Sequence, residues 1–434
     1  MAAVCSALMA LLPPAYAAQA SMYRVASDTQ AVVTSFEGPG GRITWTGVVS
    51  TAAFEVQRAE TAAGEWLPVA YGSATGATDS APAPATRAFQ LGFTPFPYGI
   101  GTNIEAILTI MDNVYGVIAT NGDLVCHHFD SGVPWPEALA GAPFPDNMQF
   151  DLQFRKSMTP TNHAVFLAIT PIRLDRNGLA PYRGEQESMP LPPPWNTYTF
   201  DHPDVQAAFY EYCRRMIESL EPDYVIIGIE ANLLMDKAPG LWPAYVTLHT
   251  NTFAQLKAAF PALPIAVSWT AMDLLGGYTD ANPTNQTAAF HSLSNHVDFL
   301  GLSFHPILSA LLADTVPTIP LIRAALNLRT GTVAICETSY PAETFSLLGG
   351  SLNFNGSPDK QALFFKNLFT ALDERESLFA VNFITIDYDQ LWNEMGQPDD
   401  INKLWRDTGL YDQDLAPRDA LRIWRGKLAL PHQP

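Results

Sequence analysis

From residue 89 onward the chain repeats one pattern: a short apolar run, a loop, then a longer stretch with apolar residues at helical spacing. Eight runs read as strands, at 89–93, 124–128, 164–169, 224–229, 265–269, 299–304, 332–336 and 380–386. Uninterrupted apolar runs suit parallel strands covered on both faces, not the alternation of a half-solvated sheet. Helical candidates between them include 103–119, 203–220, 243–260, 319–328 and 360–375. In 203–220, Asp201 stands ahead as a start signal and Pro203 opens the first turn. Phe209, Cys213, Met216 and Leu220 then form one apolar stripe. Eight such units in about 340 residues predict an α/β fold, a (β/α)8 TIM barrel over 89–430. An open doubly wound sheet is the competitor, but no Gly-x-Gly-x-x-Gly follows the first strand.

Residues 22–88 differ in texture. Arg42-Ile-Thr-Trp-Thr, Phe54-Glu-Val-Gln-Arg, Trp66-Leu-Pro-Val-Ala and Arg87-Ala-Phe-Gln carry β-formers separated by Gly- and Pro-containing turns. They predict a small all-β region ahead of the barrel. Its Trp-bearing strand and Phe-Glu-Val-Gln-Arg-Ala strand resemble part of a fibronectin type III domain, which implies packing or spacing and not chemistry. Residues 1–20 hold an apolar core followed by Ala-Tyr-Ala and Ala-Gln-Ala, as in a signal peptide, although the basic leading segment is missing. The expectation is export, to a secreted or periplasmic location. No later run has the ~20 uninterrupted apolar residues that span a bilayer.

The formal net charge of −19 argues against nucleic acid and anionic membranes, both of which call for basic patches. Cys126, Cys213 and Cys336, the cysteines beyond the leader, have no metal-like spacing and read as small apolar residues. Neither a disulfide framework nor a metal is expected. No Gly-x-Ser-x-Gly elbow, Walker loop or His-Glu-x-x-His is present.

Two of the apolar runs end in a carboxylate: Tyr224-Val-Ile-Ile-Gly-Ile-Glu230 and Thr332-Val-Ala-Ile-Cys-Glu337. A charge closing a buried run must lie where solvent or a ligand reaches it, because burying it unpaired is costly. In a β/α barrel the C-terminal strand ends share one mouth, where such enzymes place their active sites. Glu230 closes the fourth run and Glu337 the seventh. Opposed carboxylates across a mouth are what glycosidic bond cleavage requires: one protonates the leaving oxygen, the other attacks or activates water. A salt bridge is the bland reading of either acid alone; the pair at these two strands favours chemistry.

The pair resembles the clan A retaining glycoside hydrolases, and within them the arabinogalactan endo-β-1,4-galactanases. Gly228-Ile-Glu-Ala-Asn232 is similar to their Gly-Asn-Glu-Ile-Asn stretch, and Asp298-Phe-Leu-Gly-Leu-Ser-Phe-His-Pro306 to their Asp-x-x-Gly-x-Ser-Tyr-Tyr-Pro strand. Glu337-Thr-Ser-Tyr-Pro341 matches their Glu-Thr-x-Tyr-Pro, and the Gly-Leu-Tyr-Asp412 stretch echoes their Gly-Leu-Phe-Asp. The resemblance implies Glu230 as acid/base, Glu337 as nucleophile and His305 as a contact of the nucleophile. It also implies a β-linked polysaccharide or oligosaccharide substrate, β-1,4-galactan first, with no cofactor. One departure stands out: Ile229 occupies the place of the family's Asn before the acid/base. Two alternatives stay open: a clan A glycosidase acting on β-glucan or mannan, and a non-catalytic carbohydrate-binding barrel. A monomer is expected.

Further candidates come from strand ends and loops. His127, His128 and Asp130 close the second run; neighbouring strand residues point to opposite faces, so His127 and His128 do not make a metal pair. Asn232, His128, Asp130, Trp269, Tyr340, Asp387 and Trp392 are the candidate sugar contacts, the tryptophans because indole faces stack on sugar C–H surfaces. The Pro-rich connections 174–196 and 341–359 are long for a compact barrel, and long loops are more often functional than accidental.

Overall fold

The computed structural model describes residues 22–26, 32–36, 42–46, 54–59, 67–72, 76–78, 86–397 and 402–433. The chain divides into two compact units, one of residues 1–87 with 422–433, the other of 88–421. In the first, Met22–Ala26, Phe54–Ala59 and Leu67–Gly72 form one antiparallel three-stranded sheet. Val32–Phe36, Arg42–Thr46 and Gly76–Thr78 form another. The expected leader at residues 1–20 lies outside the described residues.

The second unit is a barrel of parallel strands: β1 (Gln90–Phe93), β2 (Leu124–Phe129), β3 (Ala164–Ile169), β4 (Tyr224–Ile226), β5 (Ile265–Ala266 and Ser268–Thr270), β6 (Leu300–Phe304), β7 (Val333–Thr338) and β8 (Ser377–Asn382). Strand β5 closes the ring by changing partner at Val267. Its first piece pairs with β4 and its second with β6, while β8 pairs with β1. Helices α1 (Ile104–Asn121), α2 (Asp146–Met158), α3 (Pro203–Leu220), α4 (Trp242–Ala259), α5 (Pro283–Leu293), α6 (Ile319–Leu326) and α7 (Pro358–Leu372) follow the first seven strands.

Burial explains the strand composition. Every residue of β6 and β7 is buried, and each large apolar side chain so placed contributes about 1.5–3 kcal/mol. Inside the barrel Phe379 of β8 meets Phe166 of β3 at 4.6 Å between ring centroids, Tyr224 of β4 at 4.9 Å and Phe299 at 6.2 Å. At Gly301 a Cβ would stand 2.7 Å from the Val267 carbonyl and 3.0 Å from Cys336 Sγ, so only glycine allows β6 this close to the break in β5. Cys126, Cys213 and Cys336 are free and buried.

Helix α3 has the predicted bounds, with Phe209, Cys213, Met216 and Leu220 buried as one stripe. Its cap is His202 and not Asp201. His202 Nδ1 accepts from the Asp204 N–H, while Asp201 accepts from Thr199. Strands β4 and β8 end earlier than their apolar runs, at Ile226 and Asn382, and β7 runs on to Thr338. Both long connections carry local structure. The first contains a tight turn closed by an Ile172–Leu179 bridge. The second forms a hairpin of Thr344–Leu347 and Leu352–Asn355, whose Phe345, Leu347 and Phe354 pack with Ile307 and Leu404.

Candidate active site

Glu337 lies within β7 and not beyond it. Leu302 of β6 faces Ile335 and Ser303 faces Glu337, so Cys336 is an extra residue in β7. Such a bulge turns the following side chain, a common device beside active sites. Both oxygens of the Glu337 carboxylate meet imidazoles. His128 Nε2, from β2, is 3.3 Å from Oε1, and His305 Nε2, just past β6, is 3.6 Å from Oε2. Each ring is held from behind: His128 Nδ1 lies 3.8 Å from Asp130 Oδ2, and His305 Nδ1 hydrogen-bonds with Ser339 Oγ at 2.8 Å. Phe383 sets its ring edgewise to both imidazoles, and Trp405 does so to His305.

Burial opposes ionisation of Glu337, yet its hydrogen bond with His128 and its charge interactions with His128 and His305 hold the carboxyl well below its ordinary range. Burial likewise opposes the charge on His128, but Asp130 and Glu337 outweigh it and raise its pKa. Among buried ionisable groups, an opposite charge at this distance decides the protonation state. The site therefore holds an ionised carboxylate.

Glu230 reaches the same place by an irregular path. Beyond β4, Ile227 still donates to the Ala266 carbonyl and Ser268 to the Gly228 carbonyl. At Gly228 a Cβ would run into Tyr245 Oη, so a side chain here would have to displace that buried ring. Glu230 then takes a left-handed backbone, φ 47°, and its N–H donates to Ser268 Oγ at 2.8 Å. Its carboxylate accepts from Arg176 Nη2 at 2.8 Å. Burial raises the Glu230 pKa; Arg176 and His305 pull it down and the negative Glu337 pushes it up, and the balance lies above the ordinary value. A carboxylate oxygen of Glu230, one of Glu337 and a ring nitrogen of His305 all lie within 4.8 Å of one another.

Of the expected sugar contacts, His128 and Asp130 are at this site; the others are engaged elsewhere. Asn232 is fully buried: its Oδ1 accepts from the Thr270 N–H and hydroxyl, and its amide donates to Gln286. It ties the β4 loop to β5. Trp269 is buried edgewise against Phe290 of α5, and Tyr340 stacks on Phe364 of α7. Asp387 is buried in an ion pair with Arg418 and accepts from the Gly409 N–H. Trp392 lies under Lys403 and Arg406. His127 points away from His128, to Thr159 Oγ1 at 2.9 Å. Ile229 is buried.

Sequence reasoning missed Arg176, Ser268, Ser339, Phe383 and Trp405. Arg176 lies in the first of the long connections, whose length was the only signal. Two ligand-like groups occur among the described residues, Glu230–His305–Glu337 and Asp387–Asp389–Asp407. Arginines pair with acids in both: Arg176 with Glu230 in the first, Arg406 with Asp389 and Asp407 and Arg418 with Asp387 in the second.

No family model and no curated protein sequence matches the chain. Solved structures do. An exo-β-1,4-mannosidase from Opitutaceae bacterium strain TAV5 aligns with TM-score 0.52 and 12% identity over 78% of this chain and 59% of that one. The GH5_18 protein of Streptomyces cattleya, solved in complex with GlcNAc, aligns with TM-score 0.52 and 14% identity over 80% and 83%. That of Bifidobacterium longum subsp. longum aligns with TM-score 0.51 and 15% identity over 80% and 81%. This chain thus spans less than two thirds of the mannosidase. At these identities the likeness establishes the barrel fold.

Proposed function

We propose that this chain is a glycoside hydrolase that cleaves β-linked glycans with retention of configuration. One observation carries the reading: two carboxylates, an oxygen of one within 4.8 Å of an oxygen of the other, whose surroundings drive their pKa values apart, Glu230 up and Glu337 down. Retaining enzymes hold their carboxyls ~5–5.5 Å apart, whereas inverting ones leave room for a water between them. Groups driven apart in this way divide into acid and nucleophile.

In this reading Glu337, kept ionised by His128 and His305, attacks the anomeric carbon while Glu230 gives its proton to the leaving oxygen and the C–O bond breaks. Water enters next; Glu230 takes its proton, its oxygen bonds the anomeric carbon, and the ester to Glu337 breaks. The same two imidazoles receive the charge that returns to Glu337.

The sequence resemblance puts β-1,4-galactan first among substrates, and the mannosidase among the structural neighbours adds β-mannan to the panel. Residues 1–20 support export, so the glycan would be met outside the cytoplasm. The test is release of reducing ends from β-1,4-galactan, β-mannan and β-glucan by wild type and Glu337→Gln. Cleavage of any one, abolished in the variant, is the expected result. Cleavage that survives in the variant would reject the assignment of Glu337.

A further inference from the structure

Arg176 is an unusual companion for a general acid. It stands in the tight turn closed by the Ile172–Leu179 bridge, with its own N–H donating to the Arg173 carbonyl at 2.9 Å and with φ 59°. Its side chain is nine-tenths buried. One guanidinium nitrogen holds Glu230 Oε2, and the other, Nη1, is buried with no hydrogen-bond partner. Among the described residues Glu230 is the one carboxylate within ion-pair distance of Arg176.

This arrangement conflicts with proton donation. To act as an acid, Glu230 must be neutral, and Arg176 then becomes a buried cation with no anion in ion-pair contact, since the nearby Glu337 is already held by His128 and His305, a costly state. A neutral sugar offers hydroxyls and no charge to relieve it. A sugar carboxylate relieves it fully, because a guanidinium binds a carboxylate through two parallel N–H donors, and Nη1 is the donor left over.

We propose that Arg176 reads an acidic sugar: on binding, the guanidinium passes from Glu230 to the carboxylate of a uronic acid residue on the leaving-group side of the scissile bond. Glu230, released, takes a proton from solvent and later gives it to the glycosidic oxygen. Arg176 thereby couples recognition of a negative substrate to loading of the acid. The inference rests on the glycosidase reading above, and it places acidic glycans ahead of neutral ones at this site.

The experiment uses the full chain, with Arg176→Gln and Arg176→Lys, and matched pairs of β-linked disaccharides whose reducing sugar is either a hexuronic acid or its neutral twin. Hydrolysis and calorimetric binding are both measured. Wild type should favour the acidic twin by about tenfold or more in kcat/KM, the scale of losing a desolvated charge partner. Arg176→Gln should bring the ratio to about one, and Arg176→Lys, which keeps the charge without the fork, should retain part of it. Equal cleavage of the twins by wild type, or a preference that survives Arg176→Gln, overturns the proposal. Arg176-dependent binding of the acidic twin without cleavage of either would leave the anion site standing and reject the glycosidase reading. Neither cleavage nor such binding would reject both.

Discussion

Arg176 and Glu230 meet at 2.8 Å, and both hold left-handed backbone conformations, φ 59° and 47°. For residues other than glycine such conformations cost of order 1–2 kcal/mol each, and they gather where function requires them. The ion pair has a measurable consequence for pH dependence. Glu230 acts as an acid while protonated, so activity falls as pH rises through its pKa. Arg176 and His305 lower that pKa, and burial and Glu337 raise it. Removing the guanidinium in Arg176→Gln should move the alkaline limb of kcat/KM upward. A pH–rate profile on any cleaved substrate checks this; a limb that stays in place would show that Glu230 is not the group titrating.

His128→Asn should act on the other limb. Glu337 must be ionised, so activity appears as pH rises through its depressed pKa, and loss of His128 lifts that limb.

The same variant gives a stability test. His128 has a raised pKa, so its contribution is complete below its ordinary 6.5 and is lost as pH rises through the folded-state value. Glu337 has a lowered pKa, so its contribution is present above its ordinary 4.5 and is lost as pH falls. Urea denaturation should find wild type further ahead of His128→Asn near pH 6 than near pH 9. A gap that widened with pH would contradict the charged pair.

Asn232→Ala should lower stability and leave substrate affinity alone. It strips the acceptor from the buried Thr270 N–H and hydroxyl and leaves Gln286 without its donor. Stranding buried polar groups costs about 1–3 kcal/mol. Denaturation together with KM for a cleaved glycan separates the two effects; a large rise in KM at unchanged stability would place Asn232 on the substrate.

Arg418→Met should be more damaging. Arg418 pairs with the fully buried Asp387 and reaches Glu343 at 2.7 Å, joining the loops after β7 and β8. Removing one partner of a buried ion pair costs about 3–5 kcal/mol. The thermal midpoint should fall sharply, and Asp387→Asn in the same background should restore part of the loss, since it removes the stranded charge.

The barrel was legible because its strands are buried on both faces, and unbroken apolar runs survive any register: 164–169 forms β3 without adjustment. Ends were less legible where contacts across the barrel overrule local pattern. The run 224–229 stays apolar, yet regular pairing stops at Ile226 as the chain turns toward Glu230. Glu230 and Glu337 stood out because a carboxylate closing such a run has few reasons to be there. Trp269 could not be placed in advance, since a strand-end indole serves a sugar or a helix equally well, and here it faces Phe290. Arg176 was signalled only by the length of its loop: a tight turn in an irregular connection has no period to read, and its partner lies on a different strand end.

The most direct test of the account is the configuration of the first product. One carboxylate oxygen of Glu230 lies within 4.8 Å of one of Glu337, the close approach that a covalent intermediate on Glu337 calls for. Proton NMR of a β-linked substrate during the first minutes of cleavage should show the β-anomer appearing first and the α-anomer growing in only by mutarotation. The α-anomer appearing first would contradict a covalent intermediate on Glu337.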